Sequence, residues 1–165
     1  MSSVAKVIVL CVLVATTIGC DRVTKHIAMT SLDGAPSRSF LADTVRLVYA
    51  ENTGGFLSLG ADLAPAVRTV IFTFGTGLVL VATLAAAVRL DWTVWQLVAL
   101  GLMFAGGASN WIDRVARGTV VDFLNVGFGP LRTGIFNVAD VALMLGGVIF
   151  VCTCRRHLLD AAHDS

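Results

Sequence analysis

Charge is scarce in this chain of 165 residues: Asp, Glu, Lys and Arg make up 14% of it, against 56% hydrophobic residues, and the mean hydropathy is +0.84. A soluble domain of this length needs a far larger polar surface, so the shortage argues against one and points to an integral membrane protein. The formal net charge of +1 argues against a nucleic-acid partner. Disulfide chemistry is missing too. Cys11, Cys152 and Cys154 fall inside apolar runs and Cys20 ends one. Cys152 and Cys154 have no His or further Cys at ligand spacing, so they read as helix-packing residues and not as a metal or redox pair. No repeat or low-complexity tract divides the chain, and residues 1–165 read as a single domain.

What the sequence does contain is apolar length. Four runs, about Val4–Cys20, Ala64–Val88, Trp92–Ile112 and Ile135–Cys154, each approach the ~20 residues that cross a ~30 Å hydrocarbon core as helix. They predict an all-α membrane protein of four spans, with spans about 4–20, 64–88, 92–112 and 135–154 and a small β element outside the helices. An even number of spans puts both termini on one side. Arg89-Leu90-Asp91 makes the second and third runs a hairpin, so residues 31–63 and 113–134 lie together on the opposite face. The first run resembles a lipoprotein signal ending at Cys20. Against cleavage there, Thr17 is a poor residue for such a signal, and Asp21 and Lys25 stand i,i+4 on a continuing helix, acid before base. A retained first helix is expected, continuing through Thr30.

Between the first two runs, Asp43–Ala50 carries a partial period-two pattern, with Val45, Leu47 and Tyr49 alternating with Thr44, Arg46 and Val48. It runs into Glu51-Asn52-Thr53-Gly54-Gly55-Phe56. That stretch is either an ordinary turn or a place where Asn52 presents its amide to a peptide while Gly54 and Gly55 admit close backbone approach.

The polar residues concentrate between Gly106 and Asp140, where two apolar runs meet water, and carboxylates at the edge of hydrocarbon read as a functional site. Asn110, Asp113 and Arg114 stand i, i+3, i+4 on one helical face. Asp113 beside Arg114 reads as a structural ion pair held in the anionic form. Asp122 lies in the β-favouring Val120–Leu124 among apolar neighbours, and Asn137 and Asp140 share a face at the start of the last run. With Asp122 folded over that helix end, two carboxylates face each other and share one proton, the arrangement of an aspartic protease. The plainer alternative is helix caps and solvated loop acids.

Together these motifs resemble lipoprotein signal peptidase (signal peptidase II), a family of bacterial membrane aspartic peptidases. The resemblance rests on Asp21-Arg22-Val23-Thr24-Lys25, Asn52-Thr53-Gly54, the Gly106–Arg114 block, Val121-Asp122-Phe123 and Phe136-Asn137-Val138-Ala139-Asp140, in order along nearly the whole chain. It implies Asp122 and Asp140 as the catalytic pair, and Asn52, Gly54, Asn110, Arg114 and Asn137 as substrate-site residues. Asp21, Lys25 and Asp113 are expected as structural support. The implied reaction removes signal peptides from prolipoproteins just before a diacylglyceryl-modified Cys, with no metal or organic cofactor. Prolipoprotein substrates and membrane lipid are the expected partners, and a monomer is expected.

Two departures from the family pattern stand out: Gly55 leads directly to Phe56 with one small residue fewer, and Ser109 replaces the Gly expected before Asn110. The resemblance also implies residence in the bacterial inner membrane, both termini cytoplasmic and the site at the extracytoplasmic face. The charge count opposes that orientation. Arg22, Lys25, Arg38, Arg46, Arg68, Arg114, Arg117 and Arg132 lie on the loop-rich face, against Lys6, Arg89, Arg155 and Arg156 on the other. The competing functions are a proton-coupled transporter or small channel subunit, since intramembrane carboxylates also mark ion pathways, and a structural membrane protein processed at Cys20.

Overall fold

The computed structural model describes residues 3–89 and 91–163. Helix α1, Ser3–Leu32, continues past Cys20 as expected. Two strands follow, β1 (Arg38–Phe40) and β2 (Val45–Asn52), then a single 3-10 turn at Phe56–Ser58. Helix α2, Pro65–Arg89, starts with Pro at its first position, where the missing N–H costs nothing. Leu90 of the predicted hairpin link lies outside the described residues. Helix α3 (Val94–Arg117) leads to strands β3 (Val120–Phe128) and β4 (Leu131–Arg132), and helix α4 (Val138–His163) closes the chain.

The fold is therefore mostly helical with a small antiparallel sheet in the order β1-β2-β3-β4. The sheet is larger than the sequence suggested. β2 was expected alone with its turn, yet it pairs with β3, whose Val120–Leu124 had read as merely β-favouring. A single segment cannot satisfy its own backbone as a strand, and the second partner lay about seventy residues further on.

Among the described residues, three helices are long and apolar enough to cross a membrane: Val4–Leu32, Pro65–Arg89 and Val138–Arg155. α3 is not one of them by that measure, because its buried face is small or polar: Gln96, Gly101, Gly106, Gly107, Ser109, Asn110 and Asp113. The large apolar side chains point outward instead, among them Val7 and Ile8 on α1, Phe74 and Leu78 on α2, and Met144 and Val148 on α4. Such an inside-out distribution suits a lipid solvent, in which helices associate through small residues and buried polar contacts.

Two glycines set the distance between α3 and α4. A Cβ on Gly106 would run into the carbonyl oxygen of Ala139, and one on Gly146 would stand 2.7 Å from that of Ala99. α3 has definite ends. Thr93 and Gln96 form a reciprocal capping box at its start, and Gly118, at φ 76°, ends it in the left-handed conformation that glycine adopts without strain. α2 carries a π-helical segment, Thr69–Gly75, and Trp111 Nε1 of α3 donates to the carbonyl of Thr73 within it at 2.9 Å. The site lies where the sheet meets the N-terminus of α4 and the C-terminal halves of α3 and α1.

Candidate active site

Asp122 reaches the site from β3. The β2–β3 register slips between Leu47 and Ala50, leaving Ala50 opposite Asp122. A bulge of this kind re-aims side chains. Phe136, just before α4, bridges to Leu124, its N–H donating to the Leu124 carbonyl at 2.8 Å and its own carbonyl accepting from Leu124 N–H at 2.8 Å. That pairing delays the start of α4 from the expected Ile135 to Val138 and brings Asn137 beside Asp122.

Asn137 then caps α4. Its Oδ1 accepts from Asp140 N–H at 2.9 Å, while Asp140 Oδ2 accepts from Asn137 N–H at 3.2 Å, a reciprocal capping box. The i,i+3 spacing of Asn137 and Asp140 thus serves the helix end and presents the carboxylate. Both readings of the sequence, cap and site, describe the same pair.

Each of the four carboxylate oxygens accepts an N–H. Asp122 Oδ1 accepts from Asn137 Nδ2 at 2.7 Å and Oδ2 from Asn52 Nδ2 at 2.9 Å. Asp140 Oδ1 accepts from Asn110 Nδ2 at 2.9 Å, and Oδ2 from the capping bond just described. Burial pushes the Asp122 carboxyl up to about 6, with the nearby Asp140 adding to the effect and the Asn52 and Asn137 amides opposing it. Asp122 and Asp140 open onto one cavity of about 320 Å³, whose walls include Phe72, Leu80, Asn110 and Arg114.

The expected substrate-facing residues have definite partners within the chain. The amides of Asn52, Asn110 and Asn137 all donate to the carboxylates. Asn52 also shapes its own turn, its Oδ1 accepting from Gly54 N–H at 2.9 Å and its Nδ2 donating to the Gly55 carbonyl at 3.0 Å. Gly54 does admit close approach, but of its own loop: a Cβ there would stand 2.5 Å from the Leu59 carbonyl. The shortened Gly55-Phe56 junction folds into the 3-10 turn, with Leu57 and Ser58 at φ 53° and 63°. Arg114 lies over the ring of Phe72 and donates to the Gly54 carbonyl at 2.7 Å, tying this loop to α3 at the cavity wall.

Asp113 departs from its expected pairing. Neighbouring residues on a helix face different ways, and Asp113 turns to α1, where Arg22 and Lys25 meet it, the latter at 2.9 Å. Asp21 is wholly buried beside them. It accepts from Ala139 N–H at 2.9 Å, from Ser109 Oγ at 2.6 Å and pairs with Lys25 at 2.7 Å. The sequence reading missed Arg22 and Ser109 as members of this network. Arg22 and Lys25 at i,i+3 share a face, which was the available signal. Ser109, the departure from the Gly expected before Asn110, is a buried donor to Asp21. Among the described residues no group of His, Cys, Asp and Glu has the arrangement of a metal site.

Comparison with known proteins places the whole chain among relatives. The family model for signal peptidase (SPase) II matches residues 13–155. The lipoprotein signal peptidase of Desulforapulum autotrophicum is 35% identical over 144 residues, covering 86% of this chain and 88% of that protein. The lipoprotein signal peptidase of Chlorobaculum tepidum is 40% identical over 148 residues, covering 79% and 84%. A solved structure described as a bacterial membrane enzyme, determined by the in meso method at 2.3 Å resolution, superposes with a TM-score of 0.80 at 25% identity, over 95% of this chain and 92% of that one. With its family model spanning most of the chain and relatives above 30% identity covered nearly end to end, the chain belongs to the signal peptidase II family.

Proposed function

We propose that this protease cuts its substrate at the Asp122–Asp140 pair. Family membership supplies the reaction, removal of signal peptides from prolipoproteins, and places the enzyme in the inner membrane. The observation that carries the assignment of the site is the convergence of a strand carboxylate and a helix-N-terminal carboxylate on one cavity, with every oxygen held by an N–H. Two like charges so placed cannot both ionise at modest cost, so the pair holds one proton.

The ionised member takes a proton from a water molecule, whose oxygen attacks the scissile carbonyl carbon. The protonated member gives its proton to the carbonyl oxygen, producing a tetrahedral gem-diol. The C–N bond then breaks as the first member passes its newly acquired proton to the leaving amine, and a diol hydroxyl returns a proton to the second. The pair ends with the single proton it began with. Asn52, Asn110 and Asn137 orient the carboxylates, while Arg114 and Gly54 border the substrate path.

The substrate arrives within the membrane. A larger, mainly apolar groove of about 1110 Å³ between α2 and α3 shares Phe72, Leu80 and Arg114 with the catalytic cavity, and its walls include Leu84, Phe104 and Trp111. This supports a substrate carrying acyl chains, each buried CH₂ contributing about 0.8 kcal/mol. The bond cut is the one just before the diacylglyceryl-modified Cys. All four helices cross the bilayer in this reading, both termini are cytoplasmic, the site faces outward and the enzyme works as a monomer. A transporter is not favoured: Asp21 and Asp113 meet at Lys25, and Asp122 and Asp140 share one cavity beside them.

The test is cleavage of a lipidated prolipoprotein beside its unlipidated form, with product masses locating the bond. Cleavage before Cys of the lipidated form alone is expected. Equal cleavage of both forms overturns the lipid requirement.

A further inference from the structure

The proposed mechanism makes no use of Lys25, although its side chain is only 1% exposed and one residue away from the carboxylates. An ammonium only donates: Lys25 Nζ gives an N–H to Asn110 Oδ1 at 2.7 Å and stands in ion-pair contact with Asp21 Oδ2 at 2.7 Å and Asp113 Oδ2 at 2.9 Å. Because Lys25 only donates, the Asn110 atom facing it has to be the carbonyl oxygen. The Asn110 amide nitrogen is thereby turned to Asp140 Oδ1, and the Asn137 Nδ2 bond to Asn110 Oδ1 at 3.1 Å enforces the same orientation. Buried ion clusters are a weak source of stability compared with apolar packing of similar volume. This one is wired to the site.

We propose that Lys25 is a positioning residue for the reaction: by fixing and polarising the Asn110 amide it makes Asp140 the ionised, water-activating member of the pair and leaves the proton on Asp122. This rests on the assignment of Asp122 and Asp140 made above. Three contacts point the same way. Asp140 Oδ1 receives its N–H from an amide bound to a cation, Oδ2 receives a backbone N–H, and the carboxylate sits in the first turn of α4, where the helix dipole favours negative charge. Asp122 sits on a strand and receives only side-chain amides.

The charged groups around the pair come from three elements. Lys25 and Asp21 face it from α1, with Asp113 and Arg22 behind Lys25; Arg114 faces it from α3; and Asp122 itself comes from β3. α2 lines the cavity with Phe72, Thr76, Val79, Leu80 and Thr83, none of which titrates.

The test compares wild type, D113N and K25M/D113N. The double variant removes one charge of each sign and leaves Asp21 its bonds to Ser109 and Ala139; beyond D113N it takes away the Lys25 cation together with its hold on Asn110. The readouts are the pH profile of kcat/KM on a lipidated prolipoprotein and the infrared titration of the aspartic-acid carbonyl band, which needs no substrate. K25M/D113N should move the acid limb and the infrared midpoint upward by about one pH unit, while D113N keeps both within a few tenths of wild type. Where K25M/D113N melts below assay temperature, K25Q/D113N loses the cation but retains an N–H for Asn110, and a smaller shift of the same sign is expected. A K25M/D113N or K25Q/D113N profile that overlays D113N overturns the inference. Wild type that leaves the lipidated substrate uncut instead overturns the assignment on which it rests.

Discussion

At Asp122 the carboxyl group is buried between two asparagine amides, and its ordinary value of 3.8 rises to about 6. A raised acid stabilises the fold while protonated. That contribution is full below pH 3.8 and is lost as pH rises through about 6, a swing of about 3 kcal/mol by the usual conversion. Asp122→Asn should therefore flatten the fall in melting temperature that wild type shows between pH 4 and 6 in detergent; a variant that keeps the full slope places the titration elsewhere. Asp43 works in the opposite sense and outside this window, since its hydrogen bond with Arg46 holds it below the usual carboxylate range. Asp113 makes a different prediction. Its removal leaves Arg22 able to reach water and Lys25 still paired with Asp21, so Asp113→Asn should lower stability by roughly 1.5–3 kcal/mol, the worth of hydrogen bonds to charged groups, and keep cleavage in the folded fraction. Asn137 and Asp140 were legible in the sequence because their spacing already places them at a helix start, and Asp122 because it stands within a short β-favouring run. The partner of Asp113 was not, because proximity along the chain suggested Arg114 whereas its real partners stand some ninety residues earlier on α1.

At the scale of the elements, close approach of α3 to α4 holds Asn110 within reach of Asp140. Gly106 is the contact point, since a Cβ there meets the carbonyl of the residue just before Asp140. Gly106→Ala should cost about 1–3 kcal/mol through overpacking and lower cleavage by up to about 100-fold through displacement of Asp140. Gly147→Ala, on the same helix as Asp140 but with nothing within 4 Å of its Cβ, is the matched control and should leave cleavage unchanged. Equal activity of the two variants contradicts a role for this contact. The helices were legible as apolar runs, with the start of α4 misplaced by three residues because Phe136 joins the sheet. The sheet was half legible: β2 showed its alternation, but its pairing with β3 is a long-range event with no local signature.

For the whole molecule, orientation in the bilayer is the point on which the Lys/Arg count and the family resemblance disagree. Many of the cations on the loop-rich face are fastened into the fold. Arg22 and Lys25 bind Asp113, Arg46 binds Asp43, Arg132 binds the carbonyl of Asp43, and Arg68 and Arg114 bind the carbonyls of Ala61 and Gly54. The proposed outward-facing site predicts that single cysteines at the exposed positions Ser37 and Thr133, in a background lacking the four native ones, react with an impermeant thiol reagent in intact spheroplasts. Labelling only after membrane rupture reverses the topology.

One pair of carboxylates acting as a unit is the centre of the proposed mechanism, and single-turnover cleavage of a lipidated prolipoprotein tests it most directly. Wild type is compared with Asp122→Asn, Asp140→Asn, the double variant and Asp113→Asn, all checked for folding. Either single change in the pair should abolish cleavage about as completely as both together, because the loss of one member removes the function of the other, while Asp113→Asn still cuts. An Asp122→Asn protein that cleaves, beside a folded Asp113→Asn protein that does not, contradicts the account.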